Sequence, residues 1–248
     1  MKSEDFLANL SRSLGRDAVP NVTPDAATHL SLSSAMAQER AQQVVADMSA
    51  RADELMASLE RTAAEAAWRV FRAKSPQDAT HYIREVARDI EARTMLRTTH
   101  AALDAFDIEE AMHGTGITLE VMAVDQDAPD DAQEAMRGEL RGKAIVADIG
   151  ITGVDYAIAE TGSCVLLPRK GVSRVISLLP PVHIAVVRSG QVLPSLDELF
   201  TLRRQDFLTG DIGSYLNIIS GPSRSADIEY QLVTGVHGPG EVHMILLD

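Results

Sequence analysis

Apolar residues in the first quarter of the chain recur with the period of a helix. After Ala35 they follow one another every three or four positions, at Val44, Met48, Ala52, Leu55, Leu59 and Ala63. Such a stripe is typical of a helix packed against a core, and it predicts one leading helix over residues 35–66. In residues 1–34 a shorter stripe at Phe6–Leu14 predicts a small helix, and the Pro- and Ser-rich segment after it predicts an arm.

From residue 67 onward, short apolar stretches alternate with helical spacing. Strands are predicted at residues 67–73, 93–98 and 117–124. The best-defined helix follows Ser75, which is placed to cap free backbone N–H groups, and Pro76, which suits a first helical position. The alternation indicates an α/β fold with a mostly parallel sheet and crossover helices, so residues 35–248 are expected to form one domain. Sheets of this kind bind ligands at the carboxyl ends of their strands.

Three further strands are predicted in the last third of the chain. Apolar runs predict strands at Cys164–Leu167, Tyr215–Ile219 and Glu241–Leu247. Between the second and the third of these, a Gly- and Ser-rich turn leads into Ala226–Val233, which is predicted as a helix.

Charge and cysteine content narrow the classes of function. The net charge of −13 argues against a nucleic-acid binder, which needs clustered Lys and Arg, and against an anionic membrane surface. The N-terminus has no apolar signal segment, and the apolar run Val175–Val187 is too short for a membrane span and contains two prolines. One cysteine, Cys164, allows no disulfide within the chain and no CxxC pair, which fits a reducing compartment. We therefore predict a cytoplasmic protein with neither a membrane nor a nucleic acid as its partner.

The segment Asp148–Gly162 concentrates glycines and acids among short apolar pieces. Glycine permits backbone shapes and close approaches that other residues cannot adopt, so Gly150, Gly153 and Gly162 are candidate ligand-binding positions. Glu160 stands in the turn before the next strand and is a candidate catalytic carboxylate at a cleft. The alternative is a plain hairpin turn with Glu160 in solvent, and the residues alone leave both interpretations open.

A second candidate site is the turn Ser-Gly-Pro-Ser-Arg-Ser at Ser220–Ser225. A strand that runs into such a turn and then into a helix offers free N–H groups and the helix dipole to an anion. Arg224 would add a bidentate contact. Alternatively, Ser223 or Ser225 only caps the helix, and Arg224 pairs with a neighbouring acid.

Familiar catalytic and cofactor motifs are absent from the sequence. It contains no HExxH, GxSxG or GxGxxG, and no GK[ST] follows a glycine loop, so zinc peptidases, serine hydrolases and nucleotide-binding proteins are not indicated. His237 and His243 flank a turn and would suit a metal pair, but packing histidines are more common. No metal site is predicted.

Four segments resemble one known family. They are Ala147–Gly162 (ADIGITGVDYAIAETG), Leu179–Ile184 (LPPVHI), Ile219–Glu229 (ISGPSRSADIE) and Gly235–Pro239 (GVHGP). Their residues and their order resemble the LUD domain, in its short branch of the lactate utilisation protein C type. More loosely, the alternating strands and helices from Ala67 onward and the leader helix Phe6–Arg16 resemble the same branch.

The resemblance implies more than the residues do by themselves. The fold would be similar to the sugar-isomerase and CoA-transferase-like α/β superfamily, with an N-terminal helical extension. The role would be in oxidation of L-lactate to pyruvate, beside iron–sulfur partner proteins. With Cys164 alone, the chain cannot ligate a four-cysteine cluster, so no cofactor is expected in this chain and the clusters are expected in the partners. The residues predicted to bind a ligand or a small anion are Gly150, Gly153, Thr161, Gly162, Arg174, Gly221, Ser223, Arg224, Ser225 and His237.

One segment departs from the family pattern. Relatives usually carry an Asn-Glu-Gly-Asn-type segment after the strand that follows Glu-Thr-Gly, whereas this chain has Pro168–Arg174 (PRKGVSR). Only Gly171 and Arg174 keep the pattern. Arg169 and Lys170 would make the pocket more basic, which suits a carboxylate or phosphate ligand.

The sequence therefore leaves three alternative hypotheses for the function. The first is an accessory subunit of a lactate-oxidising complex, and we favour it. The second is a stand-alone enzyme for a small acid, acyl or phosphorylated substrate, with Glu160 as acid, base or nucleophile and Arg224 holding the anion. The third is a sensor that binds such a ligand without chemistry. The sequence leaves open whether the chain is catalytic.

Overall fold

A computed structural model of the chain describes residues 33–125, 127–167, 172–210, 215–226 and 232–248. Its main sheet contains β1 (Arg69–Ala73), β2 (Thr94–Thr98), β3 (Thr118–Met122), β4 (Ile149–Gly153), β7 (Val182–Arg188) and β12 (Glu241–Leu247). All six strands are parallel, in the order β1-β12-β7-β4-β2-β3. The predicted α/β fold, a mostly parallel sheet with crossover helices, is confirmed.

The described residues form the α-helices α1 (Ser34–Ala50), α2 (Ala52–Glu65), α3 (Pro76–Asp89), α4 (Ile108–Met112), α5 (Asp130–Val146), α6 (Val172–Leu178) and α7 (Leu196–Thr209). Of these, α2 to α6 flank the main sheet and cover both of its faces. The start of α3 is as predicted, because the Ser75 side chain accepts a hydrogen bond from the amide of Asp78 (3.1 Å) and Pro76 is the first helical residue. The predicted leading helix is two helices, since Arg51 leaves helical geometry between them. None of the described helices combines the length and the apolarity that crossing a membrane requires.

Apolar side chains fill a core on each face of the main sheet. On one face, Ile83 of α3 and Ile108 of α4 pack against strand residues such as Ile184. On the other face, α2 packs against β12 and β7, while α5 and α6 cover β2 and β4. Because the helix after β2 and the segment after β4 lie on opposite faces, the loops that leave these neighbouring strands diverge. The carboxyl ends of β2 and β4 are therefore the topological switch point, where open α/β sheets commonly bind ligands.

A smaller sheet adds a further layer. It consists of β5 (Tyr156–Ile158), β6 (Ser163–Leu166), β8 (Val192–Leu193) and β9 (Asn217–Ile219), in the order β8-β5-β6-β9. Cys164 and Leu166 face the main sheet and the α2 core. Ile158 and Val165 face the opposite way, onto α1 and α7. The small sheet thus lies between the main sheet and the helices α1 and α7.

The predicted helix over Ala226–Val233 is wrong. The described residues there form two antiparallel strands, β10 (Arg224–Ala226) and β11 (Leu232–Thr234), with Arg224 opposite Thr234. β-branched Val233 and Thr234 favour a strand, and the four-residue spacing of Ile228 and Leu232 in the sequence imitates a helix. The predicted N-terminal helix, most of the arm and Pro168–Gly171 lie outside the described residues.

Candidate functional site

The four motif segments meet beside the C-terminal end of α2, at the amino ends of β7 and β12. The amide of Gly240 donates to the carbonyl of Pro181 (3.1 Å), and the amide of Ser223 donates to the carbonyl of Pro239 (2.8 Å). We call this region the motif cluster; its members are Thr161, Gly162, Ser163, Ser220, Gly221, Ser223, Arg224 and His237. Ligand binding was expected at the carboxyl ends of the strands, but these residues gather near the amino ends.

Two glycines of the motif cluster lie directly on the end of α2. Gly162 has a φ of +64°, and a Cβ there would lie 2.4 Å from the amide nitrogen of Ala63. Gly221 has a φ of +95°, and its Cβ would lie 2.0 Å from the carbonyl oxygen of Ala66. Only glycine adopts such backbone geometry at such distances without strain. The close approach predicted for Gly162 is therefore to the protein's own helix.

Arg224 adds a third contact to the same helix end. Its Nη2 donates to the carbonyl oxygen of Ala66 (2.7 Å), a residue 158 positions earlier in the chain. The Arg224 side chain is exposed, and Ala66 is its only hydrogen-bond partner among the described residues. Asp227 and Glu229, the acids considered as alternative partners, lie outside the described residues. The helix predicted after this turn is wrong, because Arg224 begins a strand, and anion binding at the turn stays a prediction. A basic group at this surface remains.

A chain of three hydroxyls crosses the motif cluster. The Thr161 and Ser163 hydroxyl oxygens are 2.8 Å apart, and those of Ser163 and Ser220 are 2.6 Å apart. Three hydroxyl protons serve only two hydrogen bonds, so one of the three protons is left to be donated elsewhere. Ser163 is buried, whereas Thr161 and Ser220 are exposed. When both bonds run in the same direction, the spare donor is Thr161 or Ser220 at the surface, and Thr161 is next in sequence to the exposed carboxylate of Glu160.

Ser223 and His237 hold two loops of the motif cluster together. The Ser223 hydroxyl oxygen accepts a hydrogen bond from the amide of His237 (3.2 Å), and its carbonyl accepts one from the amide of Gly235 (3.0 Å). The His237 side chain is exposed beside Leu179 and Val236, in a groove at the start of β12. Ser225 lies in β10, opposite Val233.

Besides Ser225, three of the predicted ligand-binding residues lie outside the motif cluster. A Cβ on Gly150 would lie 2.0 Å from the carbonyl oxygen of Ile176, so this glycine lets α6 pack onto β4. A Cβ on Gly153 would lie 2.3 Å from Nδ1 of His100. The Arg174 guanidinium stands over the ring of Tyr215, 5.6 Å from its centroid.

A model of the LUD domain family matches residues 53–247. The chain belongs to the LUD domain family. The match includes all four motif segments, and it confirms the resemblance that those segments indicated.

Curated relatives of this LUD domain carry names from lactate metabolism. Lactate utilization protein C of Halalkalibacterium halodurans is 43% identical over 107 residues, which are 43% of this chain and 46% of that protein. The protein of the same name from Bacillus subtilis is 42% identical over 107 residues, 43% of this chain and 45% of that protein. An uncharacterized electron transport protein of Escherichia coli, YkgF, is 24% identical over 252 residues, 85% of this chain and 51% of that protein. The chain thus spans about half the length of these relatives or less.

A solved structure shares the fold. The crystal structure of a DUF162 family protein from Deinococcus radiodurans superposes with a TM-score of 0.50 at 19% sequence identity, and the match covers 79% of this chain and 98% of that one. At this identity the similarity concerns the fold alone.

Beneath the motif cluster the LUD domain buries a polar pair that sequence reasoning missed. Nε2 of His183 lies 2.8 Å from the hydroxyl of Thr152, and both side chains are fully buried. Burial, with a smaller contribution from His243, lowers the pKa of His183 to about 3, so the ring is neutral. His183 belongs to the Leu179–Ile184 segment, and that was the only signal in the sequence.

A second missed pair occupies the switch point of the LUD domain. Nε2 of His100 lies 3.4 Å from Oδ1 of Asp155, and both side chains are almost fully buried. Nδ1 of His100 accepts from the amide of Ala102 (3.0 Å), so Nε2 carries the proton of the neutral ring. Asp155 also accepts from the amide of Leu167 (2.7 Å). Both ring nitrogens are engaged, so the pair fastens the loops after β2, β4 and β6 instead of serving as a free base.

A hydrogen-bonded series of three side chains, Tyr82, His243 and Glu241, links α3 to β12. The carboxylate of Glu241 accepts from Nε2 of His243 (2.8 Å), which leaves Nδ1 of the neutral ring to accept from the hydroxyl of Tyr82 (2.8 Å). Arg69 pairs with Glu241 from the neighbouring strand. Burial lowers the pKa of His243 despite the bond to Glu241. These hydrogen bonds hold α3 against β12. His243 therefore has a packing role and does not form a pair with His237.

The single cysteine is chemically inert. Cys164 is fully buried in the core between the two sheets, and burial raises the pKa of its thiol to about 12. A thiolate is needed for nucleophilic attack and for metal ligation, so Cys164 serves neither. Among the residues that the structure describes, no three His, Cys, Asp or Glu side chains are grouped so as to hold a metal ion.

Proposed function

We propose that this LUD domain is an accessory component of L-lactate oxidation to pyruvate and that it acts with iron–sulfur partner proteins. The observation that carries the proposal is the convergence of the four motif segments into one surface on the end of α2. The names of the relatives support it, since several are lactate utilization protein C. The proposed site of action is the cytoplasm.

The chemistry of the reaction requires an electron acceptor. Oxidation of lactate to pyruvate removes two electrons and two protons from the substrate, and an acceptor must take the electrons. An iron–sulfur cluster needs several thiolate ligands, whereas this chain has one cysteine, whose thiol is buried. In this proposal the clusters lie in the partner proteins, and this chain contributes binding and positioning.

The motif cluster has groups suited to a small carboxylate. Arg224 offers guanidinium N–H groups beyond the one bonded to Ala66, and the chain of hydroxyls ending at Thr161 and Ser220 offers one further donor. Hydrogen bonds from a charged donor to a carboxylate are about twice as strong as neutral ones. Arg224 is therefore proposed as the principal contact for the carboxylate.

Growth on L-lactate tests this role in the cell. Deletion of the gene is expected to abolish growth on L-lactate but not on glucose, and the intact chain should restore it. Arg224→Gln is expected to restore growth poorly, because it removes one charge-assisted contact worth roughly 1.5–3 kcal/mol. Arg61→Gln changes an exposed arginine of α2 that pairs with Glu65 across the helix surface; it is the matched control and should restore growth fully.

Immunoblots for equal protein levels would exclude an effect on abundance. Normal growth of the deletion strain on L-lactate would refute the proposed role.

A stand-alone enzyme or a sensor for a small carboxylate, acyl or phosphorylated ligand is the second candidate. It is favoured by the exposed Glu160, which stands next to the hydroxyl chain and is the proposed acid, base or nucleophile. Turnover by the isolated chain that disappears in Glu160→Gln would support the enzyme. Binding without turnover that is lost in Arg224→Gln would support the sensor.

A further inference from the structure

Two neighbouring rings beneath the motif cluster each bury a nitrogen that lacks a partner among the described residues. Nε1 of Trp68 and Nδ1 of His183 are both inaccessible to solvent, and neither has a hydrogen-bond partner in the part of the chain that the structure describes. The two rings are tilted by 58°, with centroids 6.1 Å apart. Buried polar groups in native proteins are nearly always hydrogen-bonded, to protein or to ordered water. This pair of atoms therefore points to a bound group between the rings.

The chemistry of the two nitrogens defines that group. The indole N–H of Trp68 only donates, so the group must accept a hydrogen bond. The role of Nδ1 in His183 depends on which way Thr152 bonds to Nε2: the nitrogen accepts in one tautomer and donates in the other. A water molecule satisfies either arrangement, because it both donates and accepts. A carbonyl or carboxylate oxygen satisfies only the second.

The surroundings favour a small neutral occupant. Trp68 and His183 are 4% and 0% exposed, so the space between them is closed to bulk solvent. Trp68 packs in an apolar core with Leu59, Val242 and Met244. An anion enclosed among neutral and apolar groups would be strongly disfavoured.

We propose that Trp68 and His183 bind one internal water molecule, which joins the α2–β1 junction to β7 and, through Thr152, to β4. The amide of Trp68 donates to the carbonyl of Ala63 (3.0 Å), and Gly221 and Arg224 rest on Ala66, two residues before Trp68. The bound water thus stabilises the α2–β1 junction, which Gly221 and Arg224 of the motif cluster contact. Trp68 and His183 act here as positioning residues.

The only tryptophan in the chain makes this site directly observable. A ¹⁵N-labelled sample of the full chain has one indole N–H signal. Water-selective NOE and ROE spectra are expected to show a cross-peak between water and the Trp68 indole proton, with opposite signs in the two experiments, as a long-lived internal water gives. The absence of that cross-peak would overturn the proposal. Cross-peaks to carbon-bound protons of a small molecule that copurifies would overturn it as well.

Two variants separate this site from its neighbour. Thr152→Val removes the partner of Nε2 and leaves both proposed water ligands, so the water cross-peak should persist. His183→Phe removes Nδ1, and the cross-peak should disappear while exchange of the indole proton with solvent rises by about tenfold or more. Loss of the cross-peak in Thr152→Val and its retention in His183→Phe would contradict the assignment. The wild-type spectra decide the question even if a variant fails to fold.

Discussion

When the pH is lowered from 7 to 4.5, the unfolding free energy of the wild-type domain is expected to fall by roughly 2.5 kcal/mol more than that of a His183→Gln variant. The pKa of His183 is about 3 in the folded protein against 6.5 ordinarily. Below pH 6.5 the unfolded chain therefore binds a proton at this residue that the folded chain does not bind. Stability falls as the pH falls through this window, by about 1.4 kcal/mol for each pH unit well below 6.5.

Urea unfolding of both proteins at several pH values between 7 and 4.5 measures this difference. His243, whose pKa is also lowered, and all the carboxylates are common to the two proteins, so their contributions cancel in the comparison. Glutamine keeps hydrogen-bonding capacity but does not titrate. Parallel stability curves for wild type and variant would mean that His183 takes up its proton in the folded state, contrary to its burial.

Gly221→Ala is expected to destabilise the domain by about 3 kcal/mol or more. The added Cβ would lie 2.0 Å from the carbonyl oxygen of Ala66, at a φ of +95° that an L-residue adopts only with strain. The loop would have to move away, and the bond from Arg224 to Ala66 would be lost with it. Because the same loop carries Ser220 and Ser223, growth on L-lactate should fall too.

Gly138→Ala is the matched control for this substitution. Gly138 lies within α5, and a Cβ there would meet nothing within 4 Å. Alanine at an interior helical position should stabilise the domain by about 1 kcal/mol. The two substitutions add the same methyl group with opposite expected signs. Urea midpoints for Gly221→Ala and Gly138→Ala that shift equally would show that the Gly221 loop does not rest on Ala66.

Much of the fold could be predicted because its signals are local. The start of α3 depends on Ser75 and Pro76, which stand side by side, and β12 was predicted with its observed bounds from its apolar run. β10 and β11 were missed although they pair within eleven residues of sequence, because helical spacing such as that of Ile228 and Leu232 can arise by chance in a short segment. The break at Arg51 was missed because the apolar stripe continues across it without a change of period.

The motif cluster could be predicted only in part. Its residues were found from composition and family resemblance, but their contacts join distant positions: Arg224 to Ala66 across 158 residues, Thr62 to Ala159 across 97. The sequence indicated that Gly162 allows a close approach, yet it could not say that α2 is what approaches. In the sequence His183 is one polar residue of the apolar run Val175–Val187, because its spatial neighbours Trp68 and Thr152 are far away in the chain.

Reconstitution with the iron–sulfur lactate-utilisation proteins of the same organism is the decisive test of the proposed accessory role. The tagged chain would be used to capture those proteins, and L-lactate-dependent dye reduction would then be measured with the chain present and with it omitted. We expect the chain to retain the iron–sulfur proteins and full lactate oxidation to require it, while the isolated chain has no activity. Partners that do not bind the chain, and that oxidise lactate equally well without it, would refute the accessory role.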